Sequence, residues 1–276
     1  MEAVRSAMLC PHMRLVSYNI LDGGVGRADP IAEILQAQNA DLVVLLEADD
    51  LSVVERIAGR LAMDFVHSGG KKHACAVLSR FAIRESVNYA LLHPDLSNSF
   101  TLATMVEPGG RLWRVGAVHL HAQALIEDEQ VRLREIEAIL YLMQRLRDSG
   151  MSHVLAGDFN ANSPIQKIAR EECKASTQKQ MDQNGGLIPR GAMTRLLEEG
   201  YLDTLCVRRG GEAAEMGSFS TQHPGQRVDY ILTHGITSRQ IADAWIETDR
   251  LAKYASDHYP VGVDIRDESA GITEAH

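Results

Sequence analysis

Short runs rich in valine, isoleucine and leucine alternate with longer amphipathic segments along most of this chain. Short apolar runs are typical of buried strands, and amphipathic segments of at least about ten residues are typical of helices that cover a sheet. The pattern therefore predicts an α/β protein with a sheet core and helical cover. Strands are expected at 13–18, 41–47, 74–79, 99–107, 112–120, 153–156, 228–233 and 259–265, and helices at 30–38, 52–62, 124–147 and 192–199.

The composition is that of an ordinary globular protein and excludes several other classes. Of the 276 residues, 45% are hydrophobic and 24% are charged, which argues against a disordered, collagenous or coiled-coil chain. The longest apolar runs, such as 42–46, are far shorter than the roughly 20 residues that cross a bilayer, so no integral membrane association is expected. The net charge of −9 argues against nonspecific coating of DNA but leaves room for a local basic groove.

No internal repeat and no Pro/Gly/Ser-rich linker divides the chain, so we predict a single domain at 13–266. Residues 1–12 and 267–276 are expected to form a flexible lead and a flexible tail. The lead lacks the apolar stretch of a secretory signal, which predicts a cytoplasmic protein with reduced cysteines, and we expect a monomer. The polar segment 166–191 contains an Asn-Gly-Gly turn signal and is expected to be a loop that selects the ligand.

The sharpest local motif is Gly157-Asp158-Phe159-Asn160, directly after the apolar run 154–156. A strand that ends in this way places a carboxylate and an amide on the same side of an extended segment, at the edge of a sheet where a substrate arrives. Asp158 could accept a proton from water, and Asn160 could donate to an anionic oxygen. The alternative is an ordinary junction between strand and turn, where Asp and Asn are both common.

A second pattern combines an acidic residue inside a predicted strand with a histidine before the last strand. Asp229 lies between Val228 and Tyr230, and His258 follows Asp257. A carboxylate inside a strand is costly unless it is paired, and an imidazole is a natural partner whose tautomer and charge it would set. This pattern predicts a pair between Asp229 and His258 in which the imidazole is charged. The alternative is an ordinary loop histidine and a surface aspartate.

Three more polar residues follow predicted strands, namely Asn19, Glu47 and His119. A glutamate with one or two Asp or Asn oxygens is a set of hard ligands that suits Mg²⁺ or Mn²⁺. His119 and His121 share one face of a strand, which could instead indicate zinc, but no third ligand follows at zinc-like spacing.

In their order along the chain, these segments resemble the endonuclease/exonuclease/phosphatase superfamily, which includes pancreatic deoxyribonuclease, exonuclease III-type enzymes, neutral sphingomyelinases and inositol polyphosphate 5-phosphatases. The resemblance covers about residues 13 to 265. It implies a four-layer, deoxyribonuclease I-like sandwich of two face-to-face β-sheets flanked by helices. It also implies a single Mg²⁺-assisted phosphoester hydrolysis site at one end. The segments are Tyr18-Asn19, Leu46-Glu47, 76–80, 118–120, Gly157-Asp158-Phe159-Asn160, 227–230 and Ser256-Asp257-His258.

The resemblance also implies roles for individual residues. Glu47 corresponds to the principal metal ligand, with Asn19 and Asp257 close to the metal or its waters. Asp158 corresponds to the residue that orients or deprotonates the attacking water, and Asn160 to the amide that holds the phosphate. His258 corresponds to the imidazole beside the scissile phosphate, and Asp229 to its partner. His119 corresponds to the second histidine of the deoxyribonuclease and sphingomyelinase branches. Exonuclease III-type enzymes usually carry Asn at the position of His119.

Two departures from the family pattern bear on the substrate. Many relatives carry an arginine on the strand before His119, whereas this chain reads Ser-Asn-Ser-Phe at 97–100. Aromatic content is only 5%, and no basic run interleaved with aromatics is visible. The glycines at 23–26 and Arg27 could bind a phosphate, although glycine turns after strands are common.

These observations predict a metal-dependent phosphoesterase, foremost a phosphodiesterase or nuclease. A phosphatase or phosphodiesterase for a small-molecule or lipid-headgroup phosphate is the alternative. An inactive binding module is disfavoured because Glu47, Asp158 and His258 are all present.

Overall fold

A computed structural model describes residues 12–266, so 1–11 and 267–276, the bulk of the predicted lead and tail, lie outside the described residues. His12 is the first residue of strand β1. The strands are β1 His12–Asn19, β2 Leu42–Leu46, β3 Asp64–Ser68, β4 Cys75–Ser79, β5 Ala82–Asn88, β6 Ser99–Val106, β7 Leu112–His119, β8 His153–Asp158, β9 Leu202–Asp203, β10 Asp229–His234, β11 Ile241–Ile246 and β12 Val261–Arg266. The α-helices are α1 Ala28–Gln38, α2 Leu51–Leu61, α3 Ile126–Asp148, α4 Ala175–Gln183, α5 Gly191–Glu198, α6 Thr204–Arg209 and α7 Arg250–Ala255.

Within residues 12–266, the strands form two six-stranded sheets. Their strand orders are β11-β12-β1-β2-β4-β3 and β5-β6-β7-β8-β10-β9. Each sheet contains one parallel pair, β1 with β2 and β7 with β8, among antiparallel neighbours. The two sheets are therefore built alike, each around one central parallel pair.

The inner faces of the two sheets share one apolar core, which includes Val44 and Val263 from the first sheet and Val115 and Ile231 from the second. Helices α1 and α2 add their buried apolar side chains to the same cluster. A second cluster, which includes Ile136 of α3, joins α3 and α5 to the other face of the second sheet. The predicted four-layer sandwich of two face-to-face sheets flanked by helices is confirmed.

The eight predicted strands and four predicted helices all exist, with boundaries that differ by at most two residues. The strands missed by the sequence reading are β3, β5, β9 and β11, which are the four edge strands of the two sheets. An edge strand is buried less completely, so it does not need a continuous apolar run. Strand β5 is an example, because most of its residues are exposed.

No helix in the described part of the chain is long and apolar enough to span a membrane. Cys75, Cys173 and Cys206 are free thiols, while Cys10 lies outside the described residues. The cytoplasmic location and the monomeric state stay predictions.

A buried ion pair fixes the start of β10, the strand that carries Asp229. Arg227 is 1% exposed and donates to both carboxylate oxygens of Asp203, at 3.0 and 2.7 Å. Asp203 also caps α6 through the backbone N–H groups of Leu205 and Cys206. The pair therefore ties β9, α6 and β10 together.

We expect Arg227→Leu to lower the free energy of unfolding by about 3–5 kcal/mol, because it leaves the Asp203 carboxylate buried without its counter-charge. Urea unfolding followed by circular dichroism measures this loss. The double variant Arg227→Leu with Asp203→Asn should recover part of it. If the single variant unfolds like the wild type, the pair contributes no such stabilisation.

The amino end of β8, opposite the end that carries Asp158, holds a buried histidine. Nδ1 of His153 lies 3.0 Å from the carbonyl oxygen of Met151, and Nε2 lies 2.8 Å from the hydroxyl of Tyr201. Burial lowers the pKa of His153 to about 4, and the backbone hydrogen bond only partly offsets this effect. His153 is therefore neutral in the folded protein at neutral pH.

This pKa predicts a loss of stability in mild acid. Below pH 6.5 the unfolded chain protonates His153 but the folded protein does not, so the contribution is complete above pH 6.5 and declines as the pH falls towards 4. Relative to His153→Gln, which cannot titrate, the wild type should lose about 1.4 kcal/mol of unfolding free energy per pH unit in this window. Parallel stability curves for the two proteins would contradict the prediction.

Candidate active site

The two parallel strand pairs bring the predicted residues to one end of the sandwich. Asn19 ends β1 and pairs with Leu46, the residue before Glu47. His119 ends β7 and is paired with Asp158 at the end of β8. Because β10 runs antiparallel to β8, its first residue, Asp229, is also paired with Asp158. Residues that are far apart in the sequence therefore meet through strand register alone.

One carboxylate oxygen of Asp158 lies at the centre of this group. Its Oδ2 accepts from Nδ2 of Asn19 at 3.1 Å and lies 3.6 Å from Nε2 of His119 and 3.7 Å from Nε2 of His258. Its Oδ1 accepts from the backbone N–H of Asn160 at 2.9 Å. Burial raises the pKa of Asp158 above its ordinary value, although the neighbouring His258 works in the opposite direction. Hydrogen bonds therefore fix the position of the Asp158 carboxylate, and burial increases its affinity for a proton.

The backbone around this carboxylate accounts for the Gly-Asp-Phe-Asn motif. Gly157 has a φ of 153°, and a Cβ at this position would lie 1.8 Å from the carbonyl oxygen of Val118, so only glycine fits beside β7. Asn160 adopts the left-handed conformation with a φ of 47°, and its Nδ2 donates to the carbonyl oxygen of Leu120. The motif thus serves both the strand junction and the placement of polar groups.

Glu47 and Asp158 are linked through Asn19. The Nδ2 group of Asn19 donates to Oε1 of Glu47 and to Oδ2 of Asp158, both at 3.1 Å, and its Oδ1 accepts from the backbone N–H of Leu21. Glu47 itself has a φ of 52°, a strained value for a residue with a side chain. Its other oxygen accepts from the backbone N–H of Asp22. Asn19 therefore turns its amide N–H groups, and not its oxygen, towards the carboxylates of Glu47 and Asp158, and it holds both carboxylates in place.

Asp229 and His258 lie in direct contact. Nδ1 of His258 is 2.9 Å from Oδ2 of Asp229, and the same oxygen accepts from the hydroxyl of Ser218 at 2.7 Å. Burial alone would lower the pKa of His258, but the carboxylates of Asp229 and Asp158 outweigh burial and raise it above the ordinary value. This imidazole is therefore charged at neutral pH, with Nδ1 held by Asp229 and Nε2 facing Asp158.

His119 has the opposite charge state. It is 4% exposed, its ring stacks on His73 with centroids 5.6 Å apart, and burial lowers its pKa to about 3. The charges of His73, His258 and Lys72 act in the same direction. His121 points elsewhere, since its Nε2 contacts Asp128 of α3 at 2.9 Å. The two histidines do not converge, which removes the basis of the zinc alternative.

Asp257 stands between this centre and the segment 166–191. Its Oδ2 accepts from Nζ of Lys174 at 2.7 Å, and its Oδ1 lies 3.9 Å from Nε2 of His258. Nζ of Lys174 also lies 4.3 Å from the ring centroid of Phe219, which packs against His258. Segment 166–191 therefore reaches the site through Lys174. It contains α4 and buried side chains such as Cys173 and Met181, so it is more structured than the predicted loop.

A family model described as Endonuclease/Exonuclease/phosphatase family matches residues 16–258. The chain belongs to this family. Its matched range contains every residue assembled above, from Asn19 to His258. A comparison with curated protein sequences gives no match.

Solved structures of endonuclease/exonuclease/phosphatase proteins share the fold. An AP endonuclease from Archaeoglobus fulgidus superposes with a TM-score of 0.71 at 19% identity, covering 92% of this chain and 99% of the other. The 3′ phosphatase NExo from Neisseria, bound to a product DNA hairpin, gives 0.66 at 22% identity, covering 92% and 100%. Truncated TDP2 from Caenorhabditis elegans gives 0.64 at 15% identity, covering 93% and 98%.

Two residues of the site, Ser218 and Lys174, were not predicted from the sequence. Ser218 is fully buried; its hydroxyl donates to Asp229 and accepts from the backbone N–H groups of Val228 and Asp229. Lys174 lies far from every motif in the sequence. Neither residue has a local signal, because each acquires its role only from the packing of distant segments.

The hypothesis that Arg27 and the nearby glycines bind a phosphate is not supported. The guanidinium of Arg27 donates to the backbone carbonyls of Ile20, Leu21 and Ala255. The N–H of Gly23 donates to the carbonyl of Glu47. These donors hold the loop after β1 against β2 and α7.

Proposed function

We propose that this chain is a divalent-metal-dependent phosphodiesterase that acts on nucleic acids or nucleotides. The observation that carries the proposal is the convergence of Asn19, His119 and charged His258 on one oxygen of buried Asp158, with Asp229 behind His258. A carboxylate with raised proton affinity beside a charged imidazole matches what hydrolysis of a phosphate ester needs. One group accepts a proton from water, and the other donates to the phosphate.

The donor atoms at this end of the sandwich suit Mg²⁺ or Mn²⁺. Oδ1 of Asp257 is buried and has no hydrogen-bond partner within residues 12–266, a costly arrangement that a cation would relieve. Glu47 adds a half-buried carboxylate, and Asn19 orients it. We therefore assign the metal to Glu47 and Asp257, with Asn19 holding the Glu47 carboxylate in place. When bound, the ion supplies positive charge that stabilises negative charge developing on the phosphate.

Asp158, Asp229 and His258 also lie close together, with ligand atoms within 4.8 Å of one another. We do not assign the metal to this trio. The Nδ1 atom of His258 is engaged by Asp229, and the raised pKa of His258 favours the protonated ring, which cannot bind a metal.

The protein residues then divide the reaction among them. Asp158 orients the attacking water and accepts its proton. His258 donates from Nε2 to a phosphate oxygen, while Asp229 and Ser218 hold its ring. Neutral His119 and the amide of Asn160 provide further donors to the phosphate. Nucleic acid is the preferred substrate class because the fold is shared with an AP endonuclease and with a 3′ phosphatase bound to DNA.

A substrate panel tests this proposal. With Mg²⁺ or Mn²⁺, we expect turnover of single-stranded DNA, RNA or plasmid and of bis-p-nitrophenyl phosphate. EDTA should abolish this turnover, and His258→Ala should strongly reduce it. His234→Ala, a histidine on the same strand as Asp229 but at its far end, serves as the matched control. Preferred turnover of sphingomyelin or inositol phosphates would move the substrate to a headgroup or small molecule. No turnover of any phosphate ester would overturn the proposal.

A further inference from the structure

A cavity of about 400 Å³ opens beside the proposed reacting centre. Asp257 forms part of its wall, and Oδ1 of Asp257 lies 3.9 Å from Nε2 of His258. A chemical group held in this cavity is therefore next to a phosphate held by His258. The volume is at the small end of the roughly 300–1,000 Å³ range of ligand sites.

The wall of this cavity is positively charged, although the whole chain carries a net charge of −9. Arg27, Lys174 and Lys253 line it against the single carboxylate of Asp257. Arg27 is engaged by backbone carbonyls and Lys174 by Asp257. The ammonium group of Lys253 makes no hydrogen bond or ion pair within the described residues. Lys253 is therefore the cation at this wall that remains able to bind an anion.

An aromatic side chain stands next to this lysine. Tyr254 of α7 lines the cavity, is 70% exposed, and makes no ring contact or side-chain hydrogen bond within residues 12–266. Leu21 adds apolar surface to the same wall. An exposed tyrosine beside a cation offers a flat surface for a nucleobase and a charge for a phosphate, and base stacking on an aromatic ring contributes about 1–3 kcal/mol.

We propose that this cavity binds one nucleoside unit of the substrate beside the scissile phosphate, with its base against Tyr254 and its other phosphate against Lys253. The inference rests on the proposed phosphodiesterase function and specifies its substrate class as a nucleotide unit. A cavity of this size accommodates one nucleoside and not a duplex. Specificity at this position then comes from α7 and not from segment 166–191 alone.

Three chromogenic diesters that all release p-nitrophenolate test this site with the intact protein and Mg²⁺. They are methyl p-nitrophenyl phosphate, thymidine 5′-(p-nitrophenyl phosphate), and the same thymidine ester with a 3′-phosphate. We expect the wild type to prefer the thymidine ester over the methyl ester by about tenfold in kcat/KM, from stacking of this strength. The added 3′-phosphate should increase the preference further.

The variants separate the two contacts. Tyr254→Ala should bring the thymidine-to-methyl ratio close to one, and Tyr254→Phe should retain it. Lys253→Ala should remove only the gain from the 3′-phosphate. Tyr141→Ala is the matched control, because Tyr141 on α3 is 71% exposed and lies away from this cavity, and it should leave all three rates unchanged.

Two failures are distinguishable. The nucleoside site alone would be overturned by either of two results. In the first, the wild type hydrolyses the methyl ester as well as the thymidine ester. In the second, Tyr254→Ala keeps the wild-type ratio of kcat/KM for the thymidine ester over the methyl ester. Absence of hydrolysis of every ester would overturn the phosphodiesterase function itself.

Discussion

Replacing His258 by alanine is expected to lower kcat by about 10³-fold, because the variant loses the charged donor that faces the phosphate. Asp229→Asn should lower kcat by about 10²-fold. Asparagine keeps the shape of the side chain but lacks the negative charge. In the wild type, this carboxylate lies 2.9 Å from Nδ1 of His258 and raises the pKa of the ring, so the variant should have a lower pKa. Steady-state kinetics on an activated phosphodiester measure both losses.

The two residues should behave as one unit. The double variant Asp229→Asn with His258→Ala is therefore expected to be little worse than His258→Ala alone, since Asp229 acts through a ring that the variant lacks. Ser218→Ala should give a smaller loss of the same kind, because Ser218 holds Asp229 through a 2.7 Å hydrogen bond. Fully additive losses in this cycle would show that Asp229 and His258 do not act together.

Replacing Glu47 by glutamine is expected to weaken Mg²⁺ binding by at least about 100-fold and to lower kcat/KM correspondingly. Glutamine keeps the shape of the side chain and its place beside Asn19 but removes the negative charge that a hard cation requires. Calorimetric titration of the metal-free protein with Mg²⁺ measures binding independently of turnover. Glu33→Gln, an exposed carboxylate on α1, is the matched control.

The result that contradicts this assignment is equally clear. If Glu47→Gln binds Mg²⁺ and turns over substrate like the wild type, the metal is held elsewhere. The close trio of Asp158, Asp229 and His258 then becomes the next set to test.

The family resemblance and the strand ends together predicted polar residues that the structure brings together at one end of the sandwich. The apolar runs are long enough to define the central strands, and a polar residue directly after such a run must lie at the end of a strand. Asn19, Glu47, His119 and Asp158 could therefore be found from the sequence. Their register partners confirm that strand ends in the same sheet meet.

The sequence by itself determined the α/β class, the central strands and helices, and the residues that follow the strand ends, because continuous burial requires continuous apolar runs. Only the tertiary structure decided the edge strands, the contact of Ser218 with Asp229, the reach of Lys174 to Asp257, and the exposure of Tyr254 beside a basic cavity. These features depend on contacts between segments far apart in the chain. Such contacts require no particular residue pattern near either partner, so no local signal in the sequence could reveal them.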